Sequence, residues 1–261
     1  MGNYVVRMRP TKNGVGAVVL HNDSQLARLD GTDPDELWQR ALAEAARLNP
    51  SFFGYDGAVD RVLTFFPKGF QDPGYAAHER EYKVKAKTTL DVSAPLDLIG
   101  GDPAQHTEAL VAAYRATNLL SPYEKTWIVG GLRSEKGPAI VEAAANFTLA
   151  PSAPTLKAFE QALTPFGAAK WTVATYLPYL WLPAQHMFLK PEVTKNFAER
   201  VGHRFADDYE AALRFEVYQS LLDLTSETRA KIAKMNPADN IDIQSFIWIA
   251  GAYDSEIDPQ H

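Results

Sequence analysis

From Trp171 to Leu189 the chain, WTVATYLPYLWLPAQHMFL, carries no charged side chain, and Lys170 and Lys190 bracket it. Such a run has to leave water, either by entering lipid or by filling a protein core. Pro178, Pro183, Gln185 and His186 would leave polar groups without partners in hydrocarbon. The run therefore predicts a buried, kinked helix with no membrane as partner, and the rest of the chain must supply its cover.

The supply is ample. A chain of 261 residues, 46% of them hydrophobic, suffices for one large domain or for a compact domain with a smaller appendage. A net charge of -6 excludes a protein that coats nucleic acid or anionic lipid through a general excess of Lys and Arg, while leaving room for a local basic patch. Without cysteine there is no disulfide, iron–sulfur cluster or thiolate zinc site, and MGNYVVRMRP lacks the apolar core of a signal peptide. A reducing cytoplasm is the expected compartment. The histidines have no ligand spacing, and neither a phosphate-loop lysine nor a serine elbow occurs, so no metal and no cofactor is expected.

Periodicity divides the chain. Residues 1–100 read as an α+β part, with strands at Tyr4–Arg9 and Ala17–Leu20 joined by a turn over Lys12–Gly16. Asp33 caps a helix over 34–48, with Pro34 first, Glu36 completing a capping box, and Leu37, Trp38, Ala41, Leu42, Ala45 and Leu48 as its buried stripe. The aromatic passage from Phe52 to Tyr75 seals a small core under loops. Asp72-Pro73 starts another helix, yet Tyr82, Val84, Ala86 and Thr88 alternate with Lys83, Lys85 and Lys87, which leaves a strand open and puts the lysines on a solvated face. Gly100-Gly101-Asp102-Pro103 marks the boundary. Residues 101–261 read as an all-helical domain, with helices at about 104–119, 122–133, 138–149, 155–163, 209–224, 226–235 and 241–250. Ser121 and Glu124 form a capping box for the second of these, and Asp242, Gln244 and Ser245 are polar exceptions on the last. The class is mainly α, α+β overall.

Residues 155–182 read as helix, tight turn, helix. The turn Pro165–Lys170 leads into a helix whose first amides are free for an anion such as a DNA phosphate, and Lys170 adds charge at its mouth. The segment Gly167-Ala168-Ala169-Lys170-Trp171-Thr172-Val173 resembles the hairpin of the helix-hairpin-helix base-excision DNA glycosylases: Gly, apolar, Gly, two variable positions, then Thr-Ala opening a buried helix. In that family an apolar run, a catalytic aspartate and a helix ending Arg-apolar-Gly follow. Here Met187-Phe188-Leu189, Lys190–Lys195 and Arg200-Val201-Gly202 stand in the same order. The resemblance covers about 100–235. It implies a DNA-binding protein that recognises or processes altered bases, with duplex DNA as partner and Gly167, Ala168, Ala169, Lys170, Thr172 and Lys195 at the DNA. The chain departs from the pattern at three positions. Ala169 replaces the second glycine, Lys190 aligns with the catalytic aspartate, and Trp171 stands where lyase-type members carry their Schiff-base lysine. The nearest carboxylate is Glu192, so Lys190 and Glu192 are the catalytic candidates, and binding with lost or changed chemistry is favoured over excision.

Each candidate also has a plainer reading. Glu192, Lys195 and Glu199 share a helix face opposite Val193, Phe197 and Val201, which suits an exposed charge ladder as well as a catalytic Glu192. Lys190 sits at a helix start, where it gains from an anion or simply reaches water. His186 is a base or a satisfied core residue. Trp171, Tyr176, Gln244 and Trp248 either fill the core or wall a pocket. In the second case the protein is a helical small-molecule-binding or protein-interaction protein with no nucleic-acid role.

Overall fold

The computed structural model describes residues 4–48, 52–90, 94–98 and 106–253. β1 (Tyr4–Thr11), β2 (Gly14–His21) and β3 (Ser24–Gly31) form an antiparallel sheet in that order. Ala17 and Val19 of the central strand are buried under α1 (Pro34–Leu48), which contributes Leu37, Ala41 and Ala45. Asp33 caps α1 as the sequence predicts, its carboxylate accepting from the amides of Asp35 at 2.8 Å and Glu36 at 3.0 Å. Trp38 departs from the predicted stripe and stands exposed. The third strand was not expected, because β3 is largely solvated and lacks a strong apolar alternation. Asn22 and Asp23 join it to β2 with φ of 49° and 61°, a left-handed turn that these residue types tolerate.

After α2 (Gly54–Phe65), a single helical stretch runs from α3 (Pro73–Tyr75) through a π-helical turn, Ala76–Arg80, into α4 (Glu81–Leu90). The ambiguity at Tyr82–Thr88 is resolved as helix. Ala58, Val62, Phe66, Tyr75, Ala86 and Leu90 belong to the same hydrophobic core as the helices that follow, whereas the sheet and α1 have small cores of their own. The packing therefore changes after α1 rather than near residue 100, since α2–α4 bury their apolar faces only against the later helices. The glycine-rich boundary at 100–103 lies outside the described residues.

The helical part continues with α5 (Pro95–Leu98), α6 (Thr107–Ala116), α7 (Pro122–Leu132), α8 (Gly137–Leu149), α9 (Ala153–Leu163), α10 (Trp171–Trp181) and α11 (Pro191–Val201). It ends with α12 (Phe205–Asp208), α13 (Phe215–Lys231) and α14 (Asn240–Ala252). Every residue of α10 is buried, so this helix, with Pro178 inside it, is the axis around which the others pack. The Ser121–Glu124 capping box is present. The helices predicted at 209–224 and 226–235 are instead one helix, α13, followed by a short 3-10 turn at Ala233–Met235. No Gly or Pro interrupts Leu224-Thr225-Ser226, and the Thr225 hydroxyl donates to the Leu221 carbonyl at 2.7 Å without breaking the helix. Among the described residues no helix is long and apolar enough to cross a membrane.

Candidate nucleic-acid interface and lysine cleft

The turn between α9 and α10 lies at the surface. A 3-10 turn, Thr164–Phe166, ends at Gly167 in the left-handed region (φ 69°), and extended Lys170 caps α10. The Gly167 amide donates to Thr164 at 3.1 Å, that of Ala168 to Leu163 at 3.3 Å, and that of Lys170 to Ala168 at 2.8 Å. These three amides close the turn and do not face an anion, which corrects the expected role of Gly167 and Ala168. Ala168 is fully buried. Among the described residues the amides of Ala169, Trp171 and Thr172 have no acceptor, and the Lys170 side chain beside them is exposed. Thr172 turns its hydroxyl inward onto the Glu124 carboxylate, which ties the start of α10 to the start of α7.

Lys190 is the cap residue of α11. Its Nζ donates to the Leu119 carbonyl at 2.9 Å and lies 5.8 Å from the centre of the Trp248 ring. Burial pushes its amine below the ordinary lysine range, against the pull of Glu124. Lys190 borders a cleft of about 70 Å³ with Glu79, Tyr82, Asn118, Leu119 and Trp248.

Behind this cleft is a polar network. The Glu79 carboxylate accepts from the Tyr253 hydroxyl at 2.5 Å and from Lys83 Nζ at 3.1 Å, and Lys83 donates also to Ser245 Oγ at 2.7 Å. Asp242 accepts from the Tyr75 hydroxyl at 2.5 Å and from Arg80 at 2.6 Å, while Arg80 grips Asp239 at 2.9 and 3.0 Å. Lys83 is 1% exposed, which overturns its expected place on a solvated face. The signal that could have found the network was Asp242 and Ser245, polar on an apolar helix. Gln244 is buried beside them, and its Oε1 has no donor among the described residues.

The remaining candidates lie elsewhere. Glu192 has 80% of its side chain exposed and sits 3.9 Å from Lys195, whose ammonium lies 5.3 Å from the centre of the Tyr209 ring. Neither borders the cleft, because both stand opposite the buried Phe197, Ala198 and Val201 of α11. Trp171 and Tyr176 are core residues, bonded to the carbonyls of Glu210 at 2.8 Å and Ala113 at 2.9 Å. His186 bonds the Thr148 carbonyl through Nε2 at 2.8 Å and the Tyr218 hydroxyl through Nδ1 at 2.7 Å. A carbonyl only accepts, so Nε2 carries the hydrogen and Nδ1 is the acceptor. The expected aromatic pocket is thus filled core, and of its members only Trp248 borders a cleft.

A wider groove of about 790 Å³ runs between α1 and α11–α13, with Trp38, His203 and Asp223 in its walls. Its charges are partly matched: His203 Nε2 is 3.6 Å from Asp223, and Arg204 is 3.5 Å from both Asp208 and Asp223. Among the described residues no group of three His, Asp or Glu side chains is placed to hold a metal ion. Comparison with protein-family models, with curated proteins and with solved structures gave no match to this chain.

Proposed function

We propose that this protein binds DNA through the turn between α9 and α10, and that it recognises altered bases rather than excising them by carboxylate chemistry. The observation that carries the reading is the surface position of that turn, with exposed Lys170 at the amino end of α10 and unbonded amides next to it. A helix start offers partial positive charge to a phosphate, and lysine adds a full one. The absence of excision follows from what occupies the neighbourhood. An amine, Lys190, stands where the resemblance puts an aspartate, and Glu192 points to solvent. The cleft beside Lys190, at about 70 Å³, is far below the roughly 300–1,000 Å³ of a ligand site.

The test is fluorescence anisotropy with labelled duplexes, intact and carrying altered bases, across a salt series. Lys170→Ala should weaken binding about 5-fold at low salt and reduce the slope of log K against log salt by about one, the signature of one lost phosphate contact. Glu192→Gln should bind as wild type. Wild-type affinity and slope in Lys170→Ala, or no binding by the native protein, would sink the reading.

A further inference from the structure

Beside the turn, α7 exposes two large aromatic side chains. Tyr123 is 73% and Trp127 39% exposed, with ring centroids 6.4 Å apart and planes tilted by 34°. They stand one helical turn apart, and Gly130 follows on the same face at the next turn. A side chain at Gly130 would meet nothing within 4 Å. Glycine inside a helix costs about 0.5–1 kcal/mol against alanine, so an unhindered glycine there calls for a cause. Its neighbour Gly131 has one in packing, since a Cβ there would lie 2.9 Å from Ile140 and 3.1 Å from Phe166. Nothing among the described residues accounts for Gly130, which fits a position kept bare for something that approaches the backbone closely.

This face is continuous with the turn. A Cβ built on Gly167 would touch the Trp127 indole at 4.0 Å, and Phe166 packs on Gly131. The only acid of α7, Glu124, is drawn inward by Thr172 and the Ser121 amide, which leaves Lys125 and exposed Lys170 to set the local sign. Open aromatic faces beside cationic groups match the alternation of bases and phosphates in an unpaired strand.

We propose that the Tyr123–Trp127–Gly130 face is a stacking platform for unpaired bases of DNA, with the sugar-phosphate backbone passing over Gly130 and held by Lys170. This rests on the DNA-binding reading and narrows its ligand to single-stranded or locally unpaired DNA. Bases stack on the two rings irrespective of sequence, and the bare helix backbone at Gly130 lets the strand lie close.

The test compares an oligothymidylate of about 20 nucleotides, a matched duplex and a duplex with a central unpaired bubble, by anisotropy and tryptophan fluorescence. The native protein should prefer the single strand and the bubble. Tyr123→Ala and Trp127→Ala should each lose about 10-fold in affinity for these two and little for the matched duplex. Oligothymidylate should quench the native fluorescence, and Trp127→Phe should remove much of the quenching while retaining most of the affinity. Gly130→Ala should melt at a higher temperature than the native protein and yet bind the single strand more weakly, a pairing that a structural glycine would not give. The platform is overturned if the aromatic variants bind like the native protein while Lys170→Ala is weakened, and the DNA-binding reading then survives. It is also overturned if Trp127→Ala abolishes self-association with no effect on oligonucleotides. Failure of the native protein to bind any of the three DNAs overturns both.

Discussion

Lys83 has its ammonium wholly inside the protein, while Lys85 two residues on is exposed. Burial pushes its pKa down, and the Glu79 carboxylate pulls the other way. Ser245 adds the second bond that keeps the charge tolerable in the interior. Removing one partner strands the other without water. Lys83→Met alone and Glu79→Gln alone should each destabilise by about 3 kcal/mol in urea titration, and the double variant by clearly less than their sum. Strict additivity would show that the two groups do not act as a pair. Half of this arrangement was legible in the sequence. Asp242 and Ser245 stand out on an apolar helix, but their partners lie far away in the chain, and no local pattern names them. The alternation of Tyr82, Val84 and Ala86 with lysines hid the burial of Lys83, because a π turn just before it shifts the register that helical spacing assumes.

At the scale of elements, what the sequence disclosed best was the punctuation of helices. Asp33 and Ser121 cap where side-chain chemistry predicts, because the bonds involved span three residues or fewer. The end of α11 is of the same kind. Gly202 adopts φ 76°, and the His203 amide returns to the Ala198 carbonyl at 2.8 Å. Gly202→Ala should therefore cost about 1–2 kcal/mol, read as a lower denaturation midpoint; an unchanged midpoint would contradict the strained-backbone account. Less legible was the turn between α9 and α10. The spacing indicated a helix, a turn and a helix, but the sequence does not say which amides close the turn and which stay open. Nor does the face of α11 disclose that Glu192 joins a surface pair while Lys190, two residues earlier, turns into a cleft. That depends on where Leu119 and Trp248 come to rest. The strand β3 was missed because its side chains are mostly in water, and it is held by its ladder to β2 rather than by apolar burial.

For the molecule as a whole, α10 organises the core, and the residue that joins it to its neighbours most tightly is His186. Burial holds the imidazole below its ordinary pKa, against the Thr148 carbonyl. The unfolded chain therefore takes up a proton before the folded one does. The contribution is fully present above about pH 6.5 and is lost as pH falls toward the lower folded value. Melting temperature should decline between pH 7.5 and 5.5, and His186→Gln, though less stable overall, should decline less steeply. A flat native profile over that range would contradict this. The π turn at Ala76–Arg80 has a wider consequence, for how this chain can change its length. Deleting one residue there would restore ordinary winding and rotate all that follows in the helix by about 100°, carrying Lys83 off α14. Surface loops absorb gaps; this helix does not, so descendants and cousins of the sequence should keep an unvarying interval from Asp72 to Leu90 even where the connections around it drift.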